Sequence, residues 1–228
     1  MLNMIKLDWL GMKCYHKRFV IIPLTISLYG FFHIAAIIPM ITFMMFSFSV
    51  NPFAVEEKGK LDNLYLTLPV TRGSIVKARF GLSFIMQLIG LAAGVIFTVV
   101  LSSVFYGRTI IYPRTFYAGF SAMFLIICGS ILFYAVLNLS TFPVLFNMGY
   151  AKGKLIGFII PIIFVSVVIA AFFVLWSAVG IFREWFMSAF IWASGNAVLV
   201  AAIMLTAAVL LLAVSYTLSQ KFFSKREF

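Results

Sequence analysis

Residues 56–80 read EEKGKLDNLYLTLPVTRGSIVKARF and hold 8 of the chain's 23 charged residues. Uncharged runs flank them, over 19–50 on one side and 80–107 on the other. Charged side chains are costly at bilayer depth, so a polar island between such runs belongs in water beside a membrane. Within it Leu61, Leu64, Tyr65 and Leu68 recur at i, i+3, i+4 and i+7, a single apolar stripe on a short helix. Glu56 and Lys60 form an i, i+4 pair in the favourable order. Pro69 ends that helix by disfavouring helical geometry at Leu68. Thr71 then caps a new helix that opens on Arg72 and leads through Lys77 and Arg79 into the next apolar run. The island therefore reads as a short amphipathic helix along the membrane surface, hinged to a transmembrane helix. The competing use of the stripe is packing on the chain's own bundle or on lipid.

The composition agrees with this placement. Of 228 residues, 64% are hydrophobic, 18% aromatic and only 10% charged, too apolar and too poor in charge for a soluble domain. The net charge of +11 comes from basic clusters at the ends of apolar runs, where lysine and arginine fix topology, so nucleic acid is not the implied partner. Cys14 and Cys128 are far apart and lack metal-ligand spacing, which supports neither a disulfide framework nor a zinc site.

A span needs about 20 apolar residues. The sequence accommodates an all-α polytopic membrane domain with six transmembrane helices, at about 19–32, 34–50, 80–106, 116–139, 155–182 and 197–220. The coupling region occupies 51–79. The first two spans form a short hairpin, and an aromatic stretch over 184–192 lies at or dips into the outer interface. In residues 1–18, Leu2, Ile5, Trp9 and Met12 share one helical face and Lys6, Lys13 and Lys17 another, the pattern of an amphipathic elbow helix in the interface plane. With both termini cytoplasmic, 14 of the 17 basic residues fall inside, and only Arg108, Arg114 and Arg183 remain outside.

Several chemistries are missing from the pattern. No G-x-x-x-x-G-K-[ST] is present, so the chain has no P-loop for nucleotide phosphates. His16 and His33 have no neighbouring carboxylate that would make a metal or catalytic pair. No acidic residue lies within an assigned span, which argues against an ion-coupled carrier that binds a proton or cation there. If the bundle moves a cargo, its energy comes from elsewhere.

The run EEK-G-K-L…LTLPVTRGSIVKARF resembles the signature of permease subunits of type-2 ABC exporters, in which two acidic residues and a lysine precede an LP-V-[ST]-R-x-x-[IV]-V turn. The stretch 142–154, FPVLFNMGYAKGK, with Pro143, Phe146, Gly149, Tyr150 and Lys152, resembles the proline, aromatic and G-Y-x-K pattern those permeases carry in the second cytoplasmic loop. The likeness spans the chain in length, layout and orientation and is specific at these two places. It implies a permease with no cofactor of its own, ATP and magnesium being held by a separate cytoplasmic ABC ATPase subunit. It also implies a second permease subunit, identical or a sister, in a bacterial plasma membrane. The coupling helix of that family maps onto Glu56, Glu57, Lys60, Leu61, Leu64, Tyr65, Leu68, Pro69 and Arg72. The family includes exporters of phenol-soluble modulins and antimicrobial peptides, which makes amphipathic or hydrophobic peptides the implied cargo. Gln87, Asn138 and Asn196 are amides at or near span depth and stand as candidates for a translocation path, beside the plainer role of joining helices. The alternative function is a non-transporting sensor or assembly module that recruits a cytosolic partner through the same island.

Overall fold

The computed structural model describes residues 37–59, 71–105, 120–178 and 180–225, together with Trp9. The expected first span and residues 60–70 lie outside the described residues, as does all of the expected elbow except Trp9, which is helical. Among the described residues five longer helical elements follow one another: α1 (Ile37–Gly59), α2 (Arg72–Phe105), α3 (Phe120–Ala178), α4 (Gly180–Gly195) and α5 (Ala197–Lys225). No strand occurs among the described residues. Within α1, α2, α3 and α5 lie four stretches long and apolar enough to cross a bilayer: Ile37–Glu57, Gly73–Leu101, Met123–Gly153 and Ala197–Lys225.

A straight helix of 59 residues would measure about 88 Å, roughly three times the hydrocarbon core of a bilayer. α3 is folded instead. Gly149 sits at φ 77° and ψ 177°, a backbone region essentially reserved for glycine. Beyond it the chain turns back. The Thr141 hydroxyl donates to the Gly157 carbonyl at 3.0 Å, although sixteen residues of straight helix would separate them by about 24 Å. α3 is thus an antiparallel hairpin of two arms, 120–148 and 150–178, joined at one residue. Gly153 and Gly157 make the fold-back possible: a Cβ on either would come within 3.2 Å of Leu145 Cα or 3.4 Å of Thr141 Cα. The same small-x-x-x-small device joins α1 to α2, where a Cβ on Gly94 would lie 3.1 Å from Ile38 Cα and one on Gly90 3.3 Å from Thr42 Cα. In lipid, helix association comes from close packing rather than from expelling water, which makes such backbone approaches the main adhesive.

These contacts set the directions of the helices. Arg79 meets Glu56 near one end of the α1–α2 pair and Gly94 meets Ile38 near the other, so α2 is antiparallel to α1. Phe46 packs on Tyr134 and Phe53 on Phe146, so the first arm of α3 runs with α1. Ser215 bonds Asn138 and Phe223 packs on Phe146, so α5 runs the same way. The end of α1, the start of α2, the α3 fold and the end of α5 therefore gather at one end of the bundle. Lys77, Lys152, Lys221 and Lys225 are exposed there. An aromatic core fills this end, with Phe53, Phe142, Phe146 and Phe223 in edge-on contacts. α1 is the central helix, 72% of its apolar window being buried against 11% for α5, whose surface is left for lipid or another subunit.

The observed boundaries depart from those expected. The second span was expected over 34–50, but α1 continues through Asn51 and Pro52 to Gly59. Pro52 looked like a break; a membrane helix tolerates it, and the charged end beyond it is neutralised by a neighbour. α2 begins at Arg72 rather than at residue 80, the Thr71 carbonyl accepting from the Ser74 and Ile75 amides at 2.9 and 3.4 Å. The loop expected between 139 and 155 is helical up to the turn at Gly149. The aromatic stretch 184–192 lies within α4, at the end opposite the lysines, with Trp185 and Trp192 exposed.

Gly149→Ala is expected to cost about 1–3 kcal/mol, because alanine is strained at that φ and ψ. Gly129→Ala, where a Cβ would meet nothing within 4 Å and the backbone is helical, should be neutral or stabilising by up to about 1 kcal/mol. Thermal unfolding of the detergent-solubilised chain measures both.

Candidate functional site

The last turn of α1 carries Glu56 and Glu57, and each reaches a different neighbour. Successive helical residues point about 100° apart, so adjacent side chains address two sides of the helix. Glu56 accepts a hydrogen bond from Arg79 of α2 at 2.8 Å, with both side chains almost fully buried. The guanidinium lies 4.6 Å from the centre of the Phe53 ring, which covers it on one face. Glu57 accepts from the Ala151 backbone amide. That amide belongs to the first turn after Gly149, where helix donors have no partner of their own and negative charge is favoured. One helix end thus grips the start of α2 and caps the second arm of α3. A cavity of about 30 Å³, the share of one water molecule in the liquid, separates the two grips; Phe53, Tyr150 and Phe223 help to line it.

The expected coupling residues divide around this junction. Glu56 and Glu57 end α1, the helix that crosses the bundle, rather than opening a separate surface helix. Lys60, Leu61, Leu64, Tyr65, Leu68 and Pro69 lie outside the described residues, and so does the expected Glu56–Lys60 pair; the partner seen for Glu56 is Arg79. Arg72 is the first residue of α2. Of the second motif, Pro143 is inside the first arm of α3, Phe146 is buried against Phe53 and Phe223, Gly149 forms the fold, and Lys152 is exposed just beyond it. The two stretches that stood apart in the sequence meet through Glu57 and Ala151.

Farther into the bundle a second polar group joins α2, α3 and α5. The Tyr134 hydroxyl donates to the Ser83 carbonyl at 2.7 Å, and the Ser83 hydroxyl donates to Asn138 Oδ1 at 3.0 Å. Asn138 Nδ2 donates to the Tyr134 carbonyl, and Ser215 Oγ to the Asn138 carbonyl, both at 3.0 Å. Beside this network lies a partly open cavity of about 250 Å³ that Gln87 and Asn138 both line. Asn196 is not part of it. It links α4 to α5 on the surface, its side-chain amide donating to the Trp192 carbonyl, about 24 Å of helix axis from Leu212 at the cavity wall. Among the described residues no group of three His, Cys, Asp or Glu could hold a metal ion.

Sequence reasoning missed Arg79 as a buried partner, grouping it with exposed lysines, and it missed Ser83 and Tyr134. The available signal for Arg79 was its position seven residues inside a helix that otherwise turns apolar. The spacings Gly90-x-x-x-Gly94 and Gly153-x-x-x-Gly157 in apolar surroundings were legible signs of close helix contact.

Removing one member of a buried ion pair costs about 3–5 kcal/mol, whereas replacing both with apolar groups is often neutral. Arg79→Met and Glu56→Gln are each expected to destabilise the chain by that order, and Arg79→Met combined with Glu56→Leu to recover most of the loss. A double-mutant cycle by thermal unfolding checks this; additive losses would contradict the pairing.

The family model described as ABC-2 family transporter protein matches residues 3–224. No curated protein and no solved structure matches the chain. A match over nearly the whole length, on a bundle of long apolar helices, places the chain in the ABC-2 transporter family as a multi-pass membrane permease that works with an ABC ATPase subunit.

Proposed function

We propose that this permease exports amphipathic or hydrophobic peptides from a bacterial cell, as one of two six-span subunits, identical or sister, driven by cytoplasmic ATPases that bind ATP and magnesium. In this reading the basic end of the bundle faces the cytoplasm, in keeping with the positive-inside rule. The segment 60–70, with Leu61, Leu64, Tyr65 and Leu68, seats in the ATPase and acts as the coupling helix.

The observation that carries the reading is the double grip of Glu56 and Glu57. The docking segment directly follows α1 and directly precedes α2, and the helix end it hangs from is tied to Arg79 and to Ala151. A displacement of that segment would act on α1, on α2 and, through the cap, on the second arm of α3 together. Closure of the ATPases on ATP would then reshape the bundle by moving helices as stiff levers. The chain itself needs no nucleotide or catalytic group for this. Peptide cargo is supported by the lack of a carboxylate in the middle of the described spans, where a cation or a basic solute would need one, and by the aromatic walls of the cavity.

Leu64→Asp would place a charge on the docking stripe at a cost of about 2–4 kcal/mol from lost burial and desolvation. The ATPase should then fail to co-purify while the chain still inserts; wild-type association would sink the docking assignment. A cysteine at Lys152, exposed beyond the fold, should resist an impermeant thiol reagent in intact cells and react in inverted vesicles. Labelling from outside would reverse the topology.

A further inference from the structure

The 250 Å³ cavity has an unusual wall. Gln87 is 3% exposed, lines the cavity, and has no hydrogen-bond partner among the described residues. A hydrogen bond made in an apolar setting contributes roughly 1–3 kcal/mol, so the Gln87 amide at the cavity wall favours a ligand that brings a partner for it. Its neighbours are already committed: Ser83, Tyr134 and Asn138 spend their groups on one another and hold the wall rigid. Gln87 remains as the amide with both a donor and an acceptor to offer, beside the Tyr216 hydroxyl, which accepts from Gln220 Nε2 at 2.6 Å. The other walls are Phe80, Phe84, Leu212 and Tyr216. No charged side chain lines the space.

The position of the mouth narrows the ligand further. Gln87 lies two helical turns beyond Arg79, about 12 Å along the axis, and Leu212 about 13 Å before Lys221. Both distances put the cavity in the leaflet on the basic side of the bundle. Phe84 stands at the edge, 56% exposed, and the neighbouring surface of α2 and α5 is apolar, with Leu88 and Leu210 also exposed. The opening therefore faces the apolar surroundings of the bundle rather than water. A ligand reaching it must already be partitioned into that leaflet, must be uncharged where it enters, and must bring an apolar group together with a donor and an acceptor. An unpaired peptide unit with an apolar side chain meets all of these conditions. At about 30 Å³ per water the space corresponds to about eight waters, below the roughly 300 Å³ of a whole small-ligand pocket, so it suits part of a chain.

We propose that this cavity is a lateral subsite that captures one backbone amide and one apolar side chain of a peptide from the cytoplasmic leaflet, Gln87 supplying the hydrogen bonds. The assignment rests on the peptide-export reading for the direction of use, but binding to the cavity requires no ATPase and is tested on the permease alone.

The test uses the full chain in phosphatidylcholine nanodiscs. The probe is an N-acetylated, C-amidated leucine–phenylalanine hexapeptide bearing one photoreactive leucine, with labelled segments mapped by mass spectrometry. Labelling should fall on α2 and α5 around Phe84 and Leu212. Gln87→Leu, which keeps the bulk and removes the amide, should raise the half-labelling concentration about three- to tenfold, the loss expected of one hydrogen bond in an apolar site. A backbone-N-methylated version of the probe should label wild type and Gln87→Leu equally weakly. Phe84→Trp, a change confined to the mouth, should suppress labelling in a chain of unchanged thermal stability. Equal labelling of wild type and Gln87→Leu by the unmethylated peptide overturns the proposal. So does efficient labelling by a photoreactive phosphatidylcholine that the peptide fails to displace, which would make this a lipid site. Either negative leaves ATPase association standing, and loss of ATPase association leaves peptide labelling unaffected, so the two readings fail separately.

Discussion

A carboxylate and a guanidinium held 2.8 Å apart inside an apolar bundle constrain the helices around them more than any other contact described. Their net contribution to stability is small, because desolvation consumes most of the attraction. Their effect on geometry is large, because separating two buried opposite charges that are bonded to each other is costly. Glu56 therefore fixes how far α1 extends, and Arg79 fixes which face of α2 turns inward. With that register set, Gly90 and Gly94 fall opposite Thr42 and Ile38, where the backbones approach closely. The adjacent Glu57 extends the constraint to the α3 hairpin by capping its second arm. One pair of consecutive acidic residues thus organises three helices.

The rest of the bundle follows the rules of an apolar solvent. Lipid offers no hydrophobic drive between helices, so the contacts rely on glycine approaches, aromatic edges and hydrogen bonds that close on themselves. The Ser83–Tyr134–Asn138–Ser215 network is of the last kind and binds α2, α3 and α5 at one level. Nearer the lysines, Phe142 contacts Phe46, Phe53, Phe80 and Phe146, joining α1, α2 and the first arm of α3. The many phenylalanines that are buried here serve packing, which is the plainer of the two roles open to them in the sequence.

The helical membrane character and the apolar runs were legible because composition and run length are direct readouts of the solvent a segment requires. The two family-like motifs were legible too, but their relation was not. That Glu57 caps Ala151 depends on a fold-back at Gly149, and a single positive-φ glycine leaves little trace among the chain's 15 glycines. The ends of the helices were misplaced for a related reason. Pro52, Glu56 and Glu57 look like solvent-side breakers when read locally, and only a partner on another helix makes it possible to carry Glu56 inside. Gln87 and Asn138 stood out in the sequence as amides near span depth, and both line one cavity; Asn196 shared their chemistry but sits at a surface link between helices.

The central claim is that motion at the docking segment reaches the bundle through the end of α1. The most direct measurement is the ratio of peptide transported to ATP hydrolysed when the permease and its ATPase are reconstituted in proteoliposomes, comparing wild type with Glu57→Gln. Glutamine keeps the length of the side chain but weakens the charged cap on Ala151. The account predicts that the ATPase still binds and hydrolyses ATP while transport per ATP falls severalfold. An unchanged ratio in a variant that folds and docks normally would contradict it.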